Sequence, residues 1–433
     1  MRGLNMKGLL AFAASLVLVL GVAACGDDDD DDGGGGGGEA QLDLVIGDSI
    51  PLTGDLSDFG PPGQKASDIA VAQINAAIQE AGVDHTVKVV HEDNETNPQA
   101  AVQAARKMVD SDGATCITGA WASSDSIPTA QSVSIPDGIL QISPASTSDE
   151  LTALDDDGLF NRTAPPDSFQ GPTLAEAMDQ ALGGAQGKTV NIGARNDSYG
   201  TGLSGTFSDA WEGLGGSIGE EVIYDPEQPS YNSEAQQITS GNPAAIVLID
   251  FPETFVKVGP ALGRTGTFDP SKAWGTDGLA SSDLAADIGP ELLEGMRGTA
   301  PGAPEKLEPS AAFGELYESS EPRDVERQTF DAQQFDATIL CYLAAVAAGS
   351  TDGQDMADAL IDITTGGEAL TWQQLPDMIN ALQNGDDVDY EGASGSVEMN
   401  QDGDATAEVY DLYRFRGGEL DIYSELPVVL PGQ

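Results

Sequence analysis

The residues with most to offer chemically lie where short apolar runs give way to small polar loops. Residues 114–119 form one such run, followed by Ala120-Trp121-Ala122-Ser123-Ser124-Asp125. Residues 139–142 form another, followed by Ser143-Pro144-Ala145-Ser146-Thr147-Ser148-Asp149-Glu150, in which Thr147 and Glu150 have capping-box spacing. Each loop leads into a helix, so free backbone N–H groups and hydroxyls are expected there, and they suit an anionic group such as a carboxylate. Taken singly, each loop is an ordinary helix cap; two at neighbouring strand ends would make a wall of donors. Farther along stand Tyr199 after Asn196-Asp197-Ser198, Phe251 at a strand end, and Asp277 in Gly275-Thr276-Asp277-Gly278. In a chain with 72 acidic residues, a carboxylate between glycines is by default a solvated loop. Its interest is complementarity: an acceptor for an ammonium opposite donors for a carboxylate would together recognise an α-amino acid.

Other chemistries find no support. Gly187-Lys188-Thr189 has the end of a phosphate-binding loop, but Leu182 occupies the position of the glycine that loop requires, and the triplet precedes a strand instead of following one. No Gly-x-Ser-x-Gly nucleophile elbow occurs. The two histidines, His85 and His91, bracket one short strand at positions expected to face solvent, and with three cysteines they are too few for a usual zinc centre. Asp28, Asp30, Asp32, Gly33 and Glu39 satisfy the calcium-loop pattern of an EF-hand, yet that motif needs a helix on each side. Nucleic acid is excluded as a partner by a formal net charge of -54, which phosphate repels. No metal or cofactor is expected.

The N-terminus reads as an export signal. Arg2 and Lys7 precede an apolar run over 9–20 that is too short to span a bilayer comfortably, and Val22-Ala23-Ala24-Cys25 looks like a lipobox. Residues 1–24 are then a signal peptide and Cys25 the lipidated first residue, anchored at the outer face of the cytoplasmic membrane; an ordinary secretory signal with a chance cysteine is the alternative. Asp27 to Asp32 and Gly33 to Gly38 place a flexible tether over 25–40. The remaining body still carries about −50, a charge that costs stability through self-repulsion unless counterions screen it, as in a saline habitat.

From residue 42 onward, short β-branched runs alternate with helical stretches. Strands are expected over 42–50, 86–91, 114–119 and 139–142, with helices over 64–81 and 98–109 between them. After the proline-rich stretch Thr163-Ala164-Pro165-Pro166-Asp167 the rhythm restarts: strands over 189–194, 217–224 and 244–250, and helices from 170, over 200–214, 233–239 and 253–262. Two successive βαβ units predict an α/β protein of two doubly wound parallel-sheet lobes. A helical block over 311–383 and terminal strands over 396–399, 407–415 and 419–424, with a turn at Gly417-Gly418, suggest that the chain revisits both lobes.

These motifs, in order, resemble a known family. Gly47-Asp48-Ser49-Ile50-Pro51-Leu52-Thr53-Gly54 with Phe59-Gly60, Glu92-Asp93 before Asn97-Pro98, Gly119 with Ser123-Ser124, the 143–152 segment, and Asp197-Ser198-Tyr199-Gly200-Thr201-Gly202-Leu203 are similar to the type I periplasmic binding proteins, nearest the leucine-isoleucine-valine-binding branch. The resemblance implies two lobes joined by three hinge crossings, near 161–163, 298–301 and 392–395. One lobe would hold 41–161 and 299–391, the other 162–298 and 392–433. It implies a non-enzymatic, extracytoplasmic solute-binding lipoprotein that delivers a small amino acid, branched-chain favoured, or a related amide or carboxylate, to the permease of an ABC importer. A sensory receptor of the same fold, or an extracellular hydrolase using paired carboxylates, are the alternatives. By the same resemblance Ser123, Ala145 and Thr147, with Ser146 among them, hold the ligand's carboxylate. Tyr199 covers the ligand from the second lobe, Asp277 takes the ammonium where the branch usually has a glutamate, and Phe59 stands at the pocket mouth, with Trp121 and Phe251 nearby. Cys116 and Cys341 are either bridged or separate buried thiols.

Overall fold

A computed structural model describes residues 41–302, 307–406 and 409–428. The expected signal peptide, Cys25 and the tether lie outside these residues. Five strands, β1 (Leu42–Ile50), β2 (His85–Asp93), β3 (Cys116–Gly119), β4 (Leu140–Ser143) and β5 (Phe160–Arg162), form one parallel sheet in the order β2-β1-β3-β4-β5. Next come β6 (Thr189–Arg195), β7 (Ser217–Tyr224), β8 (Ala245–Ile249), β9 (Ala273–Gly275) and β10 (Arg297–Pro301). After a two-stranded parallel pair, β11 (Glu368–Thr371) and β12 (Val388–Glu391), the chain ends in β13 (Val409–Arg416) and β14 (Glu419–Pro427). The second sheet has the order β14-β13-β10-β9-β8-β6-β7, parallel from β7 to β10 and closed by an antiparallel hairpin, so the protein is a two-lobed α/β fold.

The helices form where local chemistry starts and stops them. Helix Pro98–Lys107 has proline in its first turn, where no N–H is missed, and the Asn97 side chain accepts from the amides of Gln99 and Ala100. Helix Gly60–Ala81 ends on left-handed Gly82. Helix Asp331–Ala348 is buried on nearly all sides, with buried polar groups (Gln333, Gln334, Asp336, Thr338) in its first half and an apolar second half from Ile339 onward; it packs between the first sheet and helix Gly60–Ala81 and forms the centre of the first-lobe core. Cys341 on this helix is bonded to Cys116 on β3, fastening the helix to the sheet across 225 residues of chain.

The chain passes between the sheets three times, and two of the crossings differ from expectation. The first follows β5. The second was expected at 298–301, but all of those residues lie in β10 and pair with β13, so the crossing comes after Pro301. The third was expected at the Gly392-Ala393-Ser394-Gly395 run. That run instead wraps the buried carboxylate of Asp336, which accepts from the amides of Ala393 and Ser394, both at 2.8 Å, and from the hydroxyls of Tyr390 and Ser394. Val397 and Met399 then join the first-lobe core, and Asp404 pairs with Arg162, so the chain leaves the first lobe only beyond Asp404. The strand expected over 396–399 is reduced to isolated bridges at Ser396 and Met399.

The histidines are also not solvent-facing. His85 is 6% exposed, its Nδ1 2.9 Å from the hydroxyl of Tyr342. His91 lies between Asp48 and Asp68, at 2.7 and 3.1 Å; burial opposes its charge, but the two carboxylates prevail and push its pKa up to about 10. Both sit on an edge strand that the late helices and helix Gly60–Ala81 cover.

Candidate functional site

One wall of the cleft is the pair of loops after β3 and β4, which hydrogen bonds zip into a single surface. Gly119, at a φ of +103°, ends β3 where a Cβ would lie 2.3 Å from the carbonyl of Ser49, so only glycine allows the loop its path. The carbonyl of Ala120 accepts from the hydroxyls of Ser143 (2.6 Å) and Ser126 (3.0 Å), and Ser146 donates to the carbonyl of Trp121 (3.1 Å). Ser123 Oγ accepts from the amides of Thr147 (3.2 Å) and Ser148 (3.1 Å). Those amides are therefore not free, contrary to expectation. With both lone pairs of Ser123 engaged, its hydroxyl proton is the donor left to face the cleft.

The other wall comes from the second lobe. Asp197 caps helix Ser198–Gly213 by accepting from the amide of Gly200, which sets Tyr199 in the first turn. Tyr199 donates to Asp277 Oδ1 at 2.8 Å, and the amide of Gly278 donates to the Tyr199 oxygen at 3.2 Å. Gly278 must be glycine, since a Cβ there would meet the carbonyl of Asp250 at 2.5 Å. The Phe251 ring stacks on Tyr199 with centroids 5.0 Å apart. Asp277 is 2% exposed, and no lysine, arginine or histidine among the described residues pairs with it. Burial pushes its carboxyl up to about 6, against the hydrogen bonds from Tyr199 and Gln170 that hold it down.

Between the walls lies a small, nearly filled cavity of about 10 Å³ lined by Leu56, Phe59, Trp121, Ser123, Ala145, Tyr199, Phe251, Asp277, Gly278 and Phe330. Seven of the residues singled out from sequence thus meet in one place: Phe59, Trp121, Ser123, Ala145, Tyr199, Phe251 and Asp277. Ser146 and Thr147 do not line it. The Ser146 hydroxyl is spent tying the two first-lobe loops, and Thr147 uses its carbonyl to accept from the amide of Asp167 at 2.7 Å. Sequence reasoning missed Leu56 and Phe330; the latter sits at a left-handed turn (φ +74°) just before helix Asp331–Ala348, its ring edge-on to Trp121. It also missed Asp167, a fully buried carboxyl in the first turn of helix Asp167–Leu182, which burial and nearby Asp277 push well up. Its one available signal was a proline immediately before an acid at a helix start.

Two α/β lobes enclosing a cavity whose polar groups come from both sides define a cleft-binding protein, and comparison with known proteins agrees. The chain belongs to the periplasmic binding protein family, whose model matches residues 44–412. It is similar to an amino acid binding protein of Pseudomonas aeruginosa, 28% identical over 304 residues, covering 68% of this chain and 72% of that one. Among solved structures, a leucine binding protein from Thermotoga maritima superimposes with a TM-score of 0.72 at 22% identity, over 89% of this chain and 99% of that one. A branched-chain amino acid transporter substrate binding protein from Streptococcus pneumoniae, in complex with isoleucine, gives 0.71 at 20% identity, over 90% and 99%. Among the described residues no helix is long and apolar enough to cross a membrane.

Proposed function

We propose that the protein is the extracytoplasmic solute-binding component of an ABC importer, taking a small amino acid, branched-chain favoured, and passing it unchanged to a permease. The observation that carries this reading is Asp277. A carboxylate buried without a cation of its own is costly, and a ligand ammonium would relieve that cost. The Ser123 hydroxyl, with the small residue Ala145 beside it, stands on the opposite wall to receive the ligand's carboxylate. The aromatic lining from Phe59, Trp121, Tyr199, Phe251 and Phe330 suits an apolar side chain. The names of the relatives support an amino acid as ligand, and Val22-Ala23-Ala24-Cys25 supports lipid anchoring at Cys25 on the outer face of the cytoplasmic membrane. A thermal-shift screen against the amino acids tests the ligand class. Leucine, isoleucine or valine should raise the melting temperature and be recovered chemically intact; Asp277→Ala should fold normally yet lose the shift. Turnover of the ligand, or an undiminished shift in the variant, overturns the reading.

A further inference from the structure

The loop after β1, residues 51–59, belongs to the first lobe: Thr53 bonds to Asp93 on β2, and the amide of Leu56 donates to Thr96. Its tip reaches the second lobe. Asp55 Oδ2 accepts from Arg195 Nη2 and from the Thr254 hydroxyl, both at 3.0 Å, and Asp58 accepts from the hydroxyl of Ser281. Leu56 and Phe59, on the same loop, line the cavity. Arg195 stands at the end of β6, 4% exposed, and holds two partners of its own lobe: Nε to Asp197 at 2.5 Å and Nη1 to Asp250 at 3.7 Å. Its guanidinium also lies 3.7 Å above the ring of Phe251, whose other face carries Tyr199, the donor to Asp277.

Two consequences follow. The arginine keeps counter-charges when the lobes part, so the contact with Asp55 can break without stranding a buried cation. The contact is also joined to the cavity by an unbroken stack, Asp55 to Arg195 to Phe251 to Tyr199. We propose that Asp55 and Arg195 form a reversible latch between the lobes, and that Arg195 is a positioning residue of the ligand site, holding Phe251 and Tyr199 flat over the ligand. The latch rests on the reading that the lobes close on a ligand; the planarity of the guanidinium makes Arg195 the element that joins closure to the site.

The test measures the distance between fluorophores attached at Glu80→Cys on the first lobe and Glu212→Cys on the second, in the full chain without added ligand. Asp55→Asn should shift the population toward longer distances with the melting temperature unchanged. Superimposable distance distributions of the parent and the variant overturn the latch. With L-leucine as probe, Asp55→Asn should release it about tenfold faster with little change in association. Arg195→Lys, which keeps the charge but loses the flat face, should weaken leucine binding without the opening seen in Asp55→Asn; equal affinity in parent and Arg195→Lys overturns the positioning role. Absence of leucine binding in the parent counts against the branched-chain ligand alone, and the distances then decide the latch.

Discussion

Arg162 and Arg195 are both buried at the ends of strands beside the cleft, β5 and β6, and their surroundings differ in kind. Arg162 is saturated from within the first lobe. Its guanidinium donates to Asp404, to the carbonyls of Ser146 (3.2 Å) and Ser148 (3.0 Å), and to Thr152 (2.6 Å), while Thr152 in turn bonds to Asp404. It pins the loop that forms the first-lobe wall of the cleft to the segment just before the chain's last crossing. Arg195 divides its partners between the lobes, with Asp197 and Asp250 on its own side and Asp55 on the other. A charge that must stay buried is fully paired in one rigid body; a charge at a joint keeps enough local partners to survive the joint's opening.

Substitutions can break or sharpen this contrast. The largest effect is expected for Arg162→Met, which leaves Asp404 buried without its cation and two carbonyls unpaired; a loss of about 3–5 kcal/mol in denaturant unfolding is expected. The Cys116–Cys341 bridge is a second permanent fastening of the same lobe, and replacing both residues by serine should cost about 2–4 kcal/mol, with ligand affinity at low temperature retained. Asp277→Asn should leave stability unchanged or slightly improved, since burial already disfavours the charge, while amino acid affinity falls about a hundredfold by calorimetry. Asp55→Asn should be the mildest of the four, acting on release and on the open population and not on unfolding. Were Asp55→Asn as destabilising as Arg162→Met, the distinction between fixed and jointed charge would be lost.

Much of the fold is legible because its signals are local. β-branched runs mark β1, β6, β7 and β8; Asn97-Pro98 marks a helix start; and Asp277 stood out by its place between glycines after a short strand. What escaped depends on residues far apart in sequence. Nothing near Phe330 says that it will face Trp121, some 200 positions earlier. With 72 acids available, no pattern tells that Asp55 meets Arg195. The Gly392–Gly395 run has the composition of a hinge, and only the buried Asp336 it encircles explains why it is held in the first lobe. Ser146 and Thr147 belong to the right loop, but the Ser146 hydroxyl is turned onto neighbouring backbone and Thr147 is engaged through its amide and its carbonyl.

The most direct measurement is amino acid affinity as a function of pH, in the parent protein and in Asp277→Asn. The ammonium requires an ionised carboxylate, and the Asp277 carboxyl is pushed up to about 6. Affinity should therefore be constant above that pH and fall about tenfold for each unit below it, whereas Asp277→Asn should bind weakly with no such slope. Equal affinity and an identical pH profile in the two proteins would contradict the account.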